Sequence, residues 1–177
     1  MKKTAEEKIS AGVVKYQYLR QNLMQTDVSC DREYQRRFNG FFRMSRRTEA
    51  FYTDFYEYLE RNKNKGISFA EVLTYLYEKQ HRLEMSFASK MVALVDPTFP
   101  IWDSVVAGGH FGMTAPYANE SNRLEKAIQK YATYCHKYAA YMQSDEGIEK
   151  IAMFNKNHPN VDISDTKKLD FILWQDR

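Results

Sequence analysis

Apolar residues return along this chain every three or four positions, and almost nowhere every second one. That spacing belongs to helices that bury one face. It predicts an all-α fold of about seven to nine helices in a single compact domain. A first helix is expected over about residues 4 to 24. A second restarts where Ser29 or Asp31 can cap it. The third follows Thr48 and carries Phe51, Phe55, Tyr58 and Leu59 on one face. Asn62, Asn64 and Gly66 mark its end. Ser68, with Glu71 three residues later, has capping-box spacing and opens a fourth helix, broadly buried through Val72, Leu73, Leu76 and Tyr77.

The next stretch, "SFASKMVALVDPTFPIWDSVV", predicts two helices. The segment "DPTFP" stops the first, and Asp103 is placed to cap the second. "AGGHFGMTAP" holds three of the chain's seven glycines and is expected to be a loop. "ESNRLEKAIQKYATYCHKYAAYMQ" shows the strongest periodicity. Its stripe of Leu124, Ile128, Tyr131, Cys135, Tyr138 and Met142 is expected to face the core. The tail predicts a short helix, a proline turn and a last helix. Ser164 or Asp165 would cap that last helix, and Leu169, Ile172 and Leu173 would point inward. No repeat or shift in composition suggests a second domain.

Composition narrows the classes. At 177 residues and 44% hydrophobic, the chain can bury a substantial core. Two cysteines, Cys30 and Cys135, exclude a disulfide framework and a four-cysteine iron–sulfur cluster. The first residues carry a basic pair, Lys2 and Lys3, with acidic residues soon after and no apolar block. No signal peptide is therefore expected. No window approaches the roughly 18 apolar residues of a membrane span. A cytoplasmic protein without membrane contact is the expectation.

The net charge of +3 does not by itself point to nucleic acid, but the charge is unevenly spread. "DREYQRRFNGFFRMSRR" sets six arginines against two carboxylates, a local +4. Arg36, Arg37, Arg43, Arg46 and Arg47 alternate with Tyr34, Phe38, Phe41 and Phe42. That mixture suits phosphate contact beside base stacking. It equally suits a solvated helix face whose rings point inward. His81 and Glu84 share a face at i,i+3, but two ligands do not complete a metal site, and no metal or other cofactor is expected.

Lys90 and Asp103 are the candidate catalytic pair. A carboxylate at a helix start is held ionised by free backbone N–H groups. It can then stabilise a developing cation. A lysine at the edge of an apolar wall can have a lowered pKa and become nucleophilic. A cap beside a snorkelling lysine is the other reading.

"SFASKMV", "PIWDSVV" and the terminal "KKLDFILWQDR" together resemble the core of the helix-hairpin-helix DNA glycosylase superfamily. The resemblance lies mainly in residues 66–107. There Lys90 matches the superfamily's lysine and Asp103 its aspartate. The resemblance implies an all-helical two-lobed fold around a DNA-facing cleft. It also implies base flipping, with Asp103 stabilising an oxocarbenium-like sugar and Lys90 attacking the anomeric carbon. The chain departs from the superfamily where "RLEMSFASK" replaces the glycine-rich hairpin. The same segments also resemble a group of uncharacterised bacterial proteins of similar length, which implies no function. Two function classes follow. One is a DNA-glycosylase-like protein with DNA as partner. The other is a non-catalytic module that binds a protein partner or a second copy of the chain.

Overall fold

Side-chain caps define where most of the helices begin. The structure, a computed structural model, describes residues 4–175; Lys2, Lys3, Asp176 and Arg177 lie outside the described residues. Thr4 opens α1 (Ala5–Leu23) in a capping box with Glu7. Asp31 opens α2 (Arg32–Phe42), its carboxylate accepting the Tyr34 N–H at 2.9 Å. Thr48 caps α3 (Glu49–Asn62), and Ser68 and Glu71 form the expected box at α4 (Phe69–Gln80). Helix α5 (Met85–Val95) stops at Asp96, where "DPTFP" turns the chain. A π-helix (Ser104–His110) follows Asp103. Then come α6 (Arg123–Met142), α7 (Asp145–Asn157) and α8 (Asp165–Leu173), the last capped by Ser164.

The chain is thus a single compact all-helical domain, and no strand occurs among the described residues. Helix α5 packs on α4, α4 on α6, α1 on α2, and α7 on α8. One continuous core runs from Tyr16 in α1 to Leu173 in α8, rich in Phe and Tyr. Ile9, Val13, Phe154 and Ile172 form a small satellite cluster between α1, α7 and α8. The joint between α6 and α7 requires glycine. A Cβ on Gly147 would lie 2.0 Å from the Tyr141 carbonyl oxygen. Among the described residues no helix is long and apolar enough to cross a membrane.

Two expectations need correction. The buried stripe of α6 is Ala127, Tyr131, Tyr134 and Tyr138, whereas Leu124, Ile128, Cys135 and Met142 are only half-buried flanks. Periodicity alone accepts both registers. The tyrosines win because their hydroxyls find buried backbone carbonyls, so their rings go inside without an unsatisfied group. The expected loop "AGGHFGMTAP" begins inside the π-helix, which runs through Gly108 and Gly109 to His110. The wider turn is closed by i→i−5 bonds such as Phe111 N–H to the Val106 carbonyl at 3.3 Å. Such helices are rare and often lie at functional sites.

Candidate active site

The segment from Pro97 to Trp102 is fastened at nearly every residue. Tyr131 and Tyr134 of α6 donate to the carbonyls of Pro100 (2.9 Å) and Ile101 (3.0 Å). Ser164 and Thr166 of α8 donate to those of Pro97 (2.5 Å) and Thr98 (3.2 Å). The Trp102 N–H donates to Ser89 Oγ at 2.9 Å, and that hydroxyl donates to the Ser86 carbonyl at 3.0 Å. Ser89 immediately precedes Lys90, and Trp102 immediately precedes Asp103. One buried hydrogen bond therefore fixes the two candidate catalytic residues relative to each other.

Both side chains line one cleft of about 1180 Å³. The start of α5 and the Trp102–Val106 stretch line it together with residues of α1, the end of α2 and α8, and α8 packs against the π-helix. Asp103 Oδ1 accepts two backbone N–H groups, from Val105 at 2.8 Å and Val106 at 2.7 Å. It is the expected cap, and it faces the cleft as well. Lys90 is half-buried, with its ammonium 5.2 Å from the centre of the Phe87 ring. Burial pushes its pKa down, Asp103 partly restores it, and Arg47 pushes it down further. Lys90 and Asp103 are not in ion-pair contact with each other.

The floor of the cleft holds a second pair that sequence reasoning missed. Lys167 is 1% exposed and donates to Asp170 Oδ2 at 2.8 Å. Asp170 Oδ1 accepts the Tyr138 hydroxyl at 2.9 Å, and the Lys167 ammonium also lies over the Tyr16 ring. Burial raises the Asp170 pKa, against the pull of Lys167 and Tyr138, and the charge of Asp103 raises it further. In sequence, "KKLDF" offered only an i,i+3 pair of the kind that normally faces solvent.

The arginine-rich segment divides. Arg36 and Arg37 both bind Glu33, at 2.8 and 2.7 Å, and neither lines the cleft. Arg46 is exposed, with φ at 61°. Arg43, also in the left-handed region, lies over Trp174 at 4.2 Å, and Arg47 holds the buried Glu84 through two bonds of 2.8 and 2.9 Å. Arg43 and Arg47 line the cleft. Tyr34, Phe38 and Phe42 are buried and have no face free for a base; Phe41 is half-buried at the cleft. Glu84 is taken by Arg47 and does not pair with His81. Among the described residues no group of three or more His, Cys, Asp or Glu is placed to hold a metal ion. The half-buried Cys135 thiol is pushed up to about 11 by burial, as expected for an unreactive thiol.

Compared with known proteins, the chain matches no family model, no curated protein and no solved structure.

Proposed function

We propose that the protein is a DNA-glycosylase-like base-excision protein, which takes a nucleotide of DNA into the cleft and acts on its sugar with Lys90 and Asp103. The observation that carries this reading is the shared cleft. The Ser89–Trp102 hydrogen bond ties together the two segments that carry Lys90 and Asp103. A lysine whose amine burial pushes toward the neutral form suits a nucleophile. A carboxylate held by two backbone N–H groups suits a fixed negative charge.

In the proposed reaction the Lys90 nitrogen bonds to the anomeric carbon as the N-glycosidic bond breaks. The base leaves with that bond's electron pair and takes up a proton, and the lysine nitrogen gives one up. Asp103 stabilises the positive charge that develops on the sugar between these events. Ring opening then gives an imine between Lys90 and the sugar.

The surroundings are consistent with such a substrate. A volume of about 1180 Å³ exceeds the roughly 300–1,000 Å³ of ordinary small-molecule pockets, leaving room for flanking backbone. Half-buried Phe41, Phe171 and Trp174 offer ring surface in the cleft. Residues 81–84 form the short turn between α4 and α5. Glu84 gives α5 no side-chain cap, because Arg47 holds its carboxylate. The first turn of α5 thus keeps N–H groups suited to a phosphate, in the place where the superfamily has its glycine hairpin.

The test is base release from duplexes that each carry one damaged or mismatched base. The parent is expected to release a base from at least one duplex, and Asp103→Asn to be slower by about a hundredfold or more. No release from any duplex, or an unchanged rate in Asp103→Asn, counts against the proposal. A parent that binds no DNA but self-associates would favour the interaction module.

A further inference from the structure

We propose that the cleft-facing stripe of α1, carrying Lys8 and Lys15, forms together with Arg43 a phosphate track for one DNA strand in the cleft that Lys90 and Asp103 also line. The inference rests on the glycosylase-like reading and adds Lys8 and Lys15, which lie outside the arginine-rich segment.

Lys8, Ala11, Gly12 and Lys15 follow the i, i+3, i+4, i+7 pattern and all line the cleft. The two small residues keep the middle of the stripe low. At Gly12 a Cβ would lie 2.8 Å from the Phe171 ring, so α8 packs directly against the α1 backbone. Lys8 and Lys15 are then the long side chains of the stripe, both exposed. Seven residues separate them, about 10 Å along the helix axis, so they can reach different phosphates of one strand.

Charge balance gives this stripe its preference. Each of the cleft's three carboxylates is already engaged: Glu84 by Arg47, Asp170 by Lys167, and Asp103 by two backbone N–H groups. Among the described residues, Lys8 and Lys15 have no carboxylate in ion-pair contact, and Arg43 rests on the Trp174 ring. Among the described residues, the six basic side chains that line the cleft outnumber its three carboxylates, and Lys8, Lys15 and Arg43 supply the surplus. A polyanion crossing the cleft would bring its phosphates to this stripe and a nucleotide to Lys90 and Asp103. Arg36 and Arg37, by contrast, share Glu33 outside the cleft.

The experiment measures binding of a fluorescent duplex against salt concentration for the parent, Lys8→Gln/Lys15→Gln and Arg36→Gln/Arg37→Gln. The two double variants lose the same charge. The lysine variant is expected to flatten the log–log salt slope by about 2, one unit for each lost phosphate contact. The arginine variant is expected to keep the parent slope. Equal flattening in both variants, or an unchanged slope in the lysine variant, overturns the track while leaving the glycosylase-like reading standing. A parent that binds no duplex overturns both. Poly-glutamate that competes as well per charge as unlabelled duplex would overturn the nucleic-acid assignment.

Discussion

Removing the Asp170 carboxylate should destabilise the protein far more than removing Asp170 and Lys167 together. In Asp170→Ala the Lys167 ammonium, 1% exposed, would lose its hydrogen-bonded carboxylate. Leaving one member of a buried pair without its partner costs about 3–5 kcal/mol. The Tyr138 hydroxyl adds little to this, because it also donates to the Thr166 carbonyl at 3.1 Å. For a chain of this size the loss corresponds to a fall in Tm of about 6–20 °C. Lys167→Met/Asp170→Leu should instead be neutral or stabilising by up to about 4 kcal/mol, since apolar groups avoid the desolvation of both charges.

The raised pKa of Asp170 supports that order, because burial outweighs what Lys167 and Tyr138 return. It also sets a pH signature. The native state holds the Asp170 proton more tightly than the unfolded state does. The resulting stability is complete below about pH 4 and is lost as pH rises through the native pKa. The advantage of the double variant over the parent should therefore shrink in acid. Urea unfolding of the parent, Asp170→Ala, Lys167→Met and the double variant across pH measures all of this. An Asp170→Ala variant that loses under about 1 kcal/mol, or a double variant as unstable as the two single changes combined, would refute the reasoning. If the order holds, stability does not require this ion pair.

Two further outcomes follow from the residues around the candidate pair Lys90 and Asp103. Ser89→Ala leaves the buried Trp102 N–H without its acceptor, which should cost about 1–3 kcal/mol in urea unfolding and slow any Asp103-dependent base release. Lys90→Met should raise stability at neutral pH, because burial disfavours the charged amine. The depressed native pKa means that parent stability climbs with pH from that value up to the ordinary lysine range. The variant should lack the climb, as read from melting temperatures across alkaline pH.

Much of the helical plan was legible because caps and breakers are local. Ser68 with Glu71, Thr48, Ser164 and the "DPTFP" stop act through neighbours within a few residues, and the structure places each as expected. The convergence of Lys90 and Asp103 was not readable in the same way. It depends on hydroxyls of Tyr131, Tyr134 and Ser89, whose acceptor or donor lies 13 to 33 residues away. A hydropathy period treats those tyrosines as apolar positions and is blind to their hydrogen bonds. Local charge hides pairing for a related reason. "DREYQRRFNGFFRMSRR" carries a local +4, and Glu33 engages two of its arginines. Lys8 and Lys15 look like ordinary surface lysines until packing of α1 against α8 turns them toward the cleft.

Covalent capture tests the central claim most directly. Parent protein mixed with a duplex bearing one abasic site and then treated with borohydride should give a protein–DNA adduct. Borohydride would reduce an imine between Lys90 and the opened sugar to a stable amine. The account predicts that Lys90→Met, folded and binding the same duplex, gives no adduct. Absence of an adduct in the parent, or an undiminished adduct in Lys90→Met, would contradict it.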